Sequence, residues 1–239
     1  MPDTPARPGP SRPVPTLDGF ATIAAGYDLI LCDVWGVLHD GTNAHPGAGD
    51  ALTRFRALPE SGRPRRVILV SNAPRPSAGV QAILDGFGVP RGAYDAILTS
   101  GDLTRSLVAA HPGERLYHLG PERDATIFDG LDVTLVDVAQ AERVICTGLF
   151  DDTCETAEDY RGTLEAMRAR DVPMICANPD LVVERRGELI PCAGLIAEAY
   201  AALGGAVAKI SHDLRSLLTT AQLLGDRLES VSDPLVQRV

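Results

Sequence analysis

The sequence predicts an α/β protein built on a parallel sheet, and three observations carry that prediction. Residues 29–32 form a short run that is apolar throughout, the mark of a strand buried on both faces, as in parallel sheets. Similar strand-like segments at 66–70 and 96–100 end, like the first, on polar residues followed by turn formers: Asp33 before Gly36, Ser71-Asn72 before Pro74, Ser100 before Gly101. Segments of helical spacing separate them, so the order reads β-α-β-α-β-α, parallel strands with right-handed crossovers.

Taken in order, residues 1–16 carry prolines at 2, 5, 8, 10, 13 and 15 and read as a flexible leader without the apolar core of a secretory signal. Residues 16–27 suit a short helix before the first strand. Segment 47–58 places Ala48, Ala51, Leu52 and Phe55 on one helical face. Helices at 77–87 and 101–110 follow the second and third strands, the former closed by Gly88 and Pro90. Near residue 114 the pattern restarts, with strands at 116–119, 133–136, 143–146 and 173–176. A helix at 155–170 precedes the last of these, with Ala157, Tyr160, Leu164 and Met167 on one face, and an alanine-rich helix at 189–203 ends at Gly204-Gly205. This second α/β unit is large enough to be a domain. Beyond it, one helix over 213–228 fits the apolar spacing better than a strand.

Composition narrows the function. Hydrophobic residues are 45% and charged residues 23%, a globular balance that excludes a disordered or fibrous chain. A formal charge of -10 suits neither nucleic acid nor an anionic membrane as partner. The arginines at 54, 56, 63, 65 and 66 read as a solvated helix face and loop. Five cysteines form no CxxC pair and show no zinc spacing, which fits a reducing compartment. No apolar run approaches the ~20 residues that span a bilayer. The expectation is a cytoplasmic protein.

Asp33 ends the first strand, and ligands of parallel sheets bind at such ends. A carboxylate there can cap a turn, ligate a metal, or attack phosphorus to form an aspartyl-phosphate. The last role needs a cation to offset charge and donors for the phosphate oxygens. Ser71-Asn72, at the second strand end, offers a hydroxyl and turn amides.

The segments Asp33-Val34-Trp35-Gly36-Val37-Leu38-His39-Asp40-Gly41 and Ile68-Leu69-Val70-Ser71-Asn72-Ala73 resemble motifs I and II of the haloacid dehalogenase (HAD) superfamily. More narrowly they are similar to its class IIA branch, the NagD-like and nitrophenylphosphatase-like hydrolases. Thr99-Ser100-Gly101-Asp102, Cys176-Ala177-Asn178-Pro179-Asp180 and Cys192-Ala193-Gly194 extend the resemblance. It implies a Rossmann-like parallel-sheet core (17–113 and 191–239) with an inserted α/β cap (114–190). It also implies a Mg²⁺-dependent phosphatase for a small phosphorylated metabolite. By position Asp33 is the nucleophile and a Mg²⁺ ligand, the Trp35 main-chain carbonyl a second ligand, and Ser71 and Asn72 phosphate binders. Asn178 and Asp180 face the substrate from the cap. Relatives are often dimers through the cap, so a homodimer is allowed.

Two departures qualify this. The family's phosphatases carry Asp two residues after the nucleophile as general acid and base; here Trp35 stands there, and an indole transfers no proton at neutral pH. His39 and Asp40 are weak substitutes with better roles in the turn. The second departure is the tail, where Lys209 replaces the Gly-Lys-Pro lysine as phosphate ligand and Asp226 is the nearest metal acid. A divergent, truncated or frame-shifted C-terminus fits that pattern, and without a further strand the 29–32 strand is an apolar edge. The alternative function is therefore a HAD-fold protein that binds a phosphorylated ligand or a protein partner without efficient turnover. A C–P or C–halogen hydrolase also dispenses with the second Asp, but the cap pattern argues against it.

Overall fold

The computed structural model describes residues 18–59 and 64–210. The leader, Asp226 and the helix expected at 213–228 lie outside the described residues. The first unit runs α1 (Ala21–Ala24), β1 (Leu29–Asp33), α2 (Ala48–Arg56), β2 (Arg66–Ser71), α3 (Ser77–Gly86), β3 (Ala96–Thr99) and α4 (Ser100–Ala109). Its strands form a parallel sheet in the order β1-β2-β3, with Asp33 beside Val70 and Ser71 beside Thr99. Strand ends 33 and 71 therefore emerge together. Leu52 and Phe55 from α2, Val80 and Leu84 from α3, and Val67 and Leu69 from β2 fill its core. Among the described residues β1 is the sheet's edge, with Leu29 47% exposed.

The second unit holds β4 (Glu114–Leu119), β5 (Val133–Leu135), β6 (Arg143–Cys146), α5 (Arg161–Ala169), β7 (Met174–Cys176), β8 (Val182–Arg185), β9 (Glu188–Pro191), α6 (Ala193–Ala202) and β10 (Val207–Lys209). Five strands make a parallel sheet in the order β10-β7-β6-β4-β5. Alternation sorts its side chains: Val144, Cys146, Met174 and Cys176 face α5 and α6, while Ile145 and Ile175 face Val108 of α4, Ile127 and Phe128. The sheet is thus sandwiched between its own helices and a helix of the first unit.

Four expectations need correction. The boundary expected at 190/191 is not where the chain turns back: α6 packs in the second unit's core, and β10 pairs with β7. The helix expected from 189 begins at Ala193, because 182–191 forms an antiparallel hairpin instead. Its two-residue turn, Arg186 (φ 59°) and Gly187 (φ 82°), has both residues left-handed, the geometry that matches strand twist. The helix expected at 155–170 starts as a 3₁₀ turn, Ala157–Tyr160, closed by a Thr156–Asp159 capping box. The arginine run is not simply solvated. Arg65 is 7% exposed and donates to the carbonyls of Ala24, Ala25 and Tyr27, while Arg56 and Arg66 both reach Asp95.

Candidate active site

The carboxyl ends of β1 and β2 open into a cavity of about 780 Å³ between the two units. Asp33, Trp35, Ser71 and Asn72 line it from the first unit, and Asn178 and Asp180 from the second. Six of the sequence-predicted site residues are therefore brought together. Asp33 ends β1 in an exposed position, and its Oδ1 accepts the Val34 N–H at 2.7 Å. Ser71 is buried, and its hydroxyl accepts the Ala73 N–H at 3.2 Å, which bends the chain after β2 into a turn.

Two close approaches fix the loops that feed the cavity. Gly101, in the first turn of α4, donates its N–H to the Ala73 carbonyl at 3.1 Å, and a Cβ on it would sit 2.3 Å from the Arg75 carbonyl oxygen. Gly194, in the first turn of α6, donates to the Asp180 carbonyl at 3.0 Å, where a Cβ would meet the Asp180 and Pro179 carbonyl oxygens at 2.4 Å. Only glycine lets either helix start touch its loop. These are the Ser-Gly and Ala-Gly steps of the sequence motifs, now with a packing reason.

The two units are joined across the cavity by named bonds. Asn72 Nδ2 donates to Asp180 Oδ1 at 2.8 Å, and Arg75 Nη2 to Asp124 Oδ1 at 2.8 Å. Burial raises the Asp124 carboxyl above its ordinary value against the pull of Arg75 and Arg123. Trp35 Nε1 donates to the Glu184 carbonyl at 3.0 Å, so the indole reaches the β8–β9 hairpin. Its ring lies over Gly41, where a Cβ would stand 2.4 Å from an indole carbon, and meets His39 edge-on.

His39 and Asp40 have the turn roles expected of them. His39 Nδ1 accepts the Gly41 N–H at 2.9 Å, and burial lowers the imidazole's pKa, so it is neutral at pH 7. Asp40 Oδ1 accepts from Thr42 and Asn43 at 2.8 and 2.7 Å, which holds its carboxyl below the usual range. Asn178 does turn work as well, its Oδ1 accepting the Asp180 N–H at 3.1 Å.

Lys209 is not brought to the site. It lies on β10 at the edge of the second sheet, with Nζ 3.4 Å from Glu198 Oε1, and does not line the cavity. The expected phosphate-binding role fails on position, because its strand extends the second sheet instead of leading back to Asp33. Arg75, Arg123, Asp124, Asp152 and Arg185 also line the cavity, and sequence analysis assigned none of them a site role. They lie in loops, a 3₁₀ turn and the missed hairpin; the Arg186-Gly187 turn between Val182-Val183 and Leu189-Ile190 was the available signal for the last.

Among the described residues no group of three His, Cys, Asp or Glu side chains is placed to hold a metal ion. The donors present do fit Mg²⁺ of the kind that keeps several waters and takes one protein carboxylate with a substrate phosphate. Asp33 would supply that carboxylate.

A parallel core with a carboxylate at one strand end, a hydroxyl turn at the next and a second α/β unit over both defines a class of hydrolase. The model of the haloacid dehalogenase-like hydrolases matches residues 30–134. A haloacid dehalogenase-like hydrolase from Brucella suis is similar in structure at 48% identity and a TM-score of 0.75, over 81% of this chain and 69% of that one. The chain belongs to the haloacid dehalogenase-like hydrolase family. Two more distant structures share the fold. Glycerol phosphate phosphatase from Mycobacterium tuberculosis, in complex with calcium, has 24% identity and a TM-score of 0.60 over 85% of this chain and 59% of that one. The 4-nitrophenylphosphatase of Thermotoga maritima has 18% identity and a TM-score of 0.62 over 87% of this chain and 76% of that one. No curated protein matches the sequence.

Proposed function

We propose that the chain is a phosphomonoesterase for a small phosphorylated metabolite, with the second unit acting as its cap. The observation that carries this is the cavity shared by Asp33, the Ser71-Asn72 turn and Asp180. Asp33 attacks phosphorus, forming an O–P bond as the ester oxygen leaves with its electron pair. Water then attacks the aspartyl-phosphate, releases inorganic phosphate and restores the carboxylate. Ser71 and the turn amides hold the phosphoryl oxygens, and Asn178 and Asp180 bound the substrate on the cap side. Asp33 and the Trp35 carbonyl would hold Mg²⁺, which when bound offsets the charge between carboxylate and phosphate.

Trp35 shapes the kinetics. No acid stands two residues beyond Asp33 to protonate the leaving oxygen, and His39 and Asp40 are committed to the turn. Leaving groups that depart as stable anions are therefore favoured, and hydrolysis of the acyl-phosphate is slow. The same observation favours the second reading, a binding protein without efficient turnover. The test is release of nitrophenolate from nitrophenyl phosphate with Mg²⁺. The parent chain turns over, and Asp33→Asn lowers the rate about 10³-fold or more. Equal rates contradict the proposal, whereas tight binding of a phosphate ester with no turnover establishes the second reading.

A further inference from the structure

Asp152 stands in the cavity wall with its side chain 14% exposed, and each of its oxygens takes a different arginine. Arg123 Nη2 reaches Oδ2 at 2.9 Å, and Arg185 Nη2 reaches Oδ1 at 2.8 Å. The three come from separate segments: the turn after β4, the loop after β6, and the end of β8. All line the same cavity as Asp33 and Ser71. One carboxylate between two guanidiniums leaves one formal positive charge over. Arg75 is taken up by Asp124, so the surplus belongs to this cluster alone, while Asp33, Asp180 and Glu184 keep the rest of the lining acidic.

A purely structural role accounts for little of this arrangement. Side chains of Arg123 and Arg185 are 54% and 33% exposed, and ion pairs of that kind contribute about 0–1 kcal/mol. Holding two like charges side by side is itself unfavourable. Each guanidinium carries five N–H donors, and the Asp152 contacts occupy one nitrogen of each. The remaining donors form a fork that suits a planar carboxylate or a phosphate. A cavity of about 780 Å³ is also larger than one phosphate requires.

We propose that Arg123 and Arg185, positioned by Asp152, bind a second anionic group of the substrate. The substrate class is then a phosphomonoester that bears a carboxylate or a second phosphate away from the scissile ester. This deepens the phosphatase reading and rests on it for the identity of the scissile group.

The test is calorimetric, in the Asp33→Asn chain so that nothing is consumed. Two matched probe pairs separate the sources of the second anion: phosphoglycerate against glycerol phosphate, and a hexose bisphosphate against the hexose monophosphate. The doubly anionic member of at least one pair binds about tenfold tighter or more, and the pair that discriminates identifies the anion. The preference falls to near parity in Arg123→Gln and in Arg185→Gln, and Arg185→Lys keeps part of it. Arg123 is half-exposed, so its variant carries the test even where Arg185→Gln folds poorly. Parity in both pairs, absence of binding, or a preference that survives both glutamine variants overturns the proposal. Failure of the phosphatase reading is separate: it is a preference that persists while the parent chain releases no phosphate.

Discussion

At the scale of the residue, Trp35 decides what kind of hydrolase this chain is. Its indole bonds the hairpin carbonyl of Glu184, at the position where the proposed mechanism would call for a proton donor to the leaving group. Losing a positioned acid–base group costs about 10²–10⁴-fold in rate. Formation of the aspartyl-phosphate from an aryl phosphate therefore exceeds that from an alkyl phosphate by about that margin, measured as kcat/KM for nitrophenyl phosphate against glycerol phosphate. Trp35→Asp narrows the gap by raising the alkyl rate about 10²-fold. An unchanged gap, with Mg²⁺ binding intact, places the limit elsewhere. Asp33 and Ser71 were legible in the sequence because each closes a short apolar strand, and register between β1 and β2 then makes them neighbours. The roles of Arg123, Asp152 and Arg185 were not, since segments from distant positions meet only after the second sheet has formed.

At the scale of the element, two helix starts hold the loops of the cavity through glycine. Gly101→Ala forces a Cβ into the backbone of Arg75, and Gly194→Ala forces one into the backbone of Pro179 and Asp180. Each lowers stability by about 1–3 kcal/mol, read as a lower urea midpoint with an unchanged slope. Gly194→Ala also displaces Asp180 from Asn72, so it weakens phosphate-ester binding more than its stability loss alone would. An unchanged midpoint in either variant contradicts the packing role. Strands and helices of the first unit were readable because each apolar run has its own stop signal. The β8–β9 hairpin was not, because Leu189-Ile190 runs into an alanine-rich helix and its charged turn resembles a solvated helix face. Lys209 failed for a related reason: three residues are enough to pair with β7, too few to show periodicity.

At the scale of the whole molecule, charge pairs tie secondary elements together and make stability depend on pH. Asp95 takes Arg56 from α2, Arg66 from β2 and the Val67 N–H. Burial raises its carboxyl, but those three bonds outweigh it and hold the pKa below the ordinary value. A carboxylate whose folded pKa is depressed adds stability above its unfolded value near 4, and loses it as pH falls through the folded value. Urea unfolding from neutral to acidic pH shows a steeper acid loss for the parent chain than for Asp95→Asn, which is about 1–3 kcal/mol less stable at neutral pH. Parallel acid limbs contradict that role. The α/β class and the two-unit plan were legible from alternation alone. The extent of the second unit was not, since α6 and β10 declare their side only through packing against β7.

The central claim is that Asp33 takes the phosphoryl group. Without an acid–base partner two residues on, the acyl-phosphate forms faster than water removes it, so one equivalent of nitrophenolate appears in a burst before slow turnover. Acid quenching during that phase, followed by mass spectrometry, finds one phosphoryl group on Asp33 and none in Asp33→Asn. Phosphate release without a phosphorylated Asp33, or equal release by Asp33→Asn, contradicts the account.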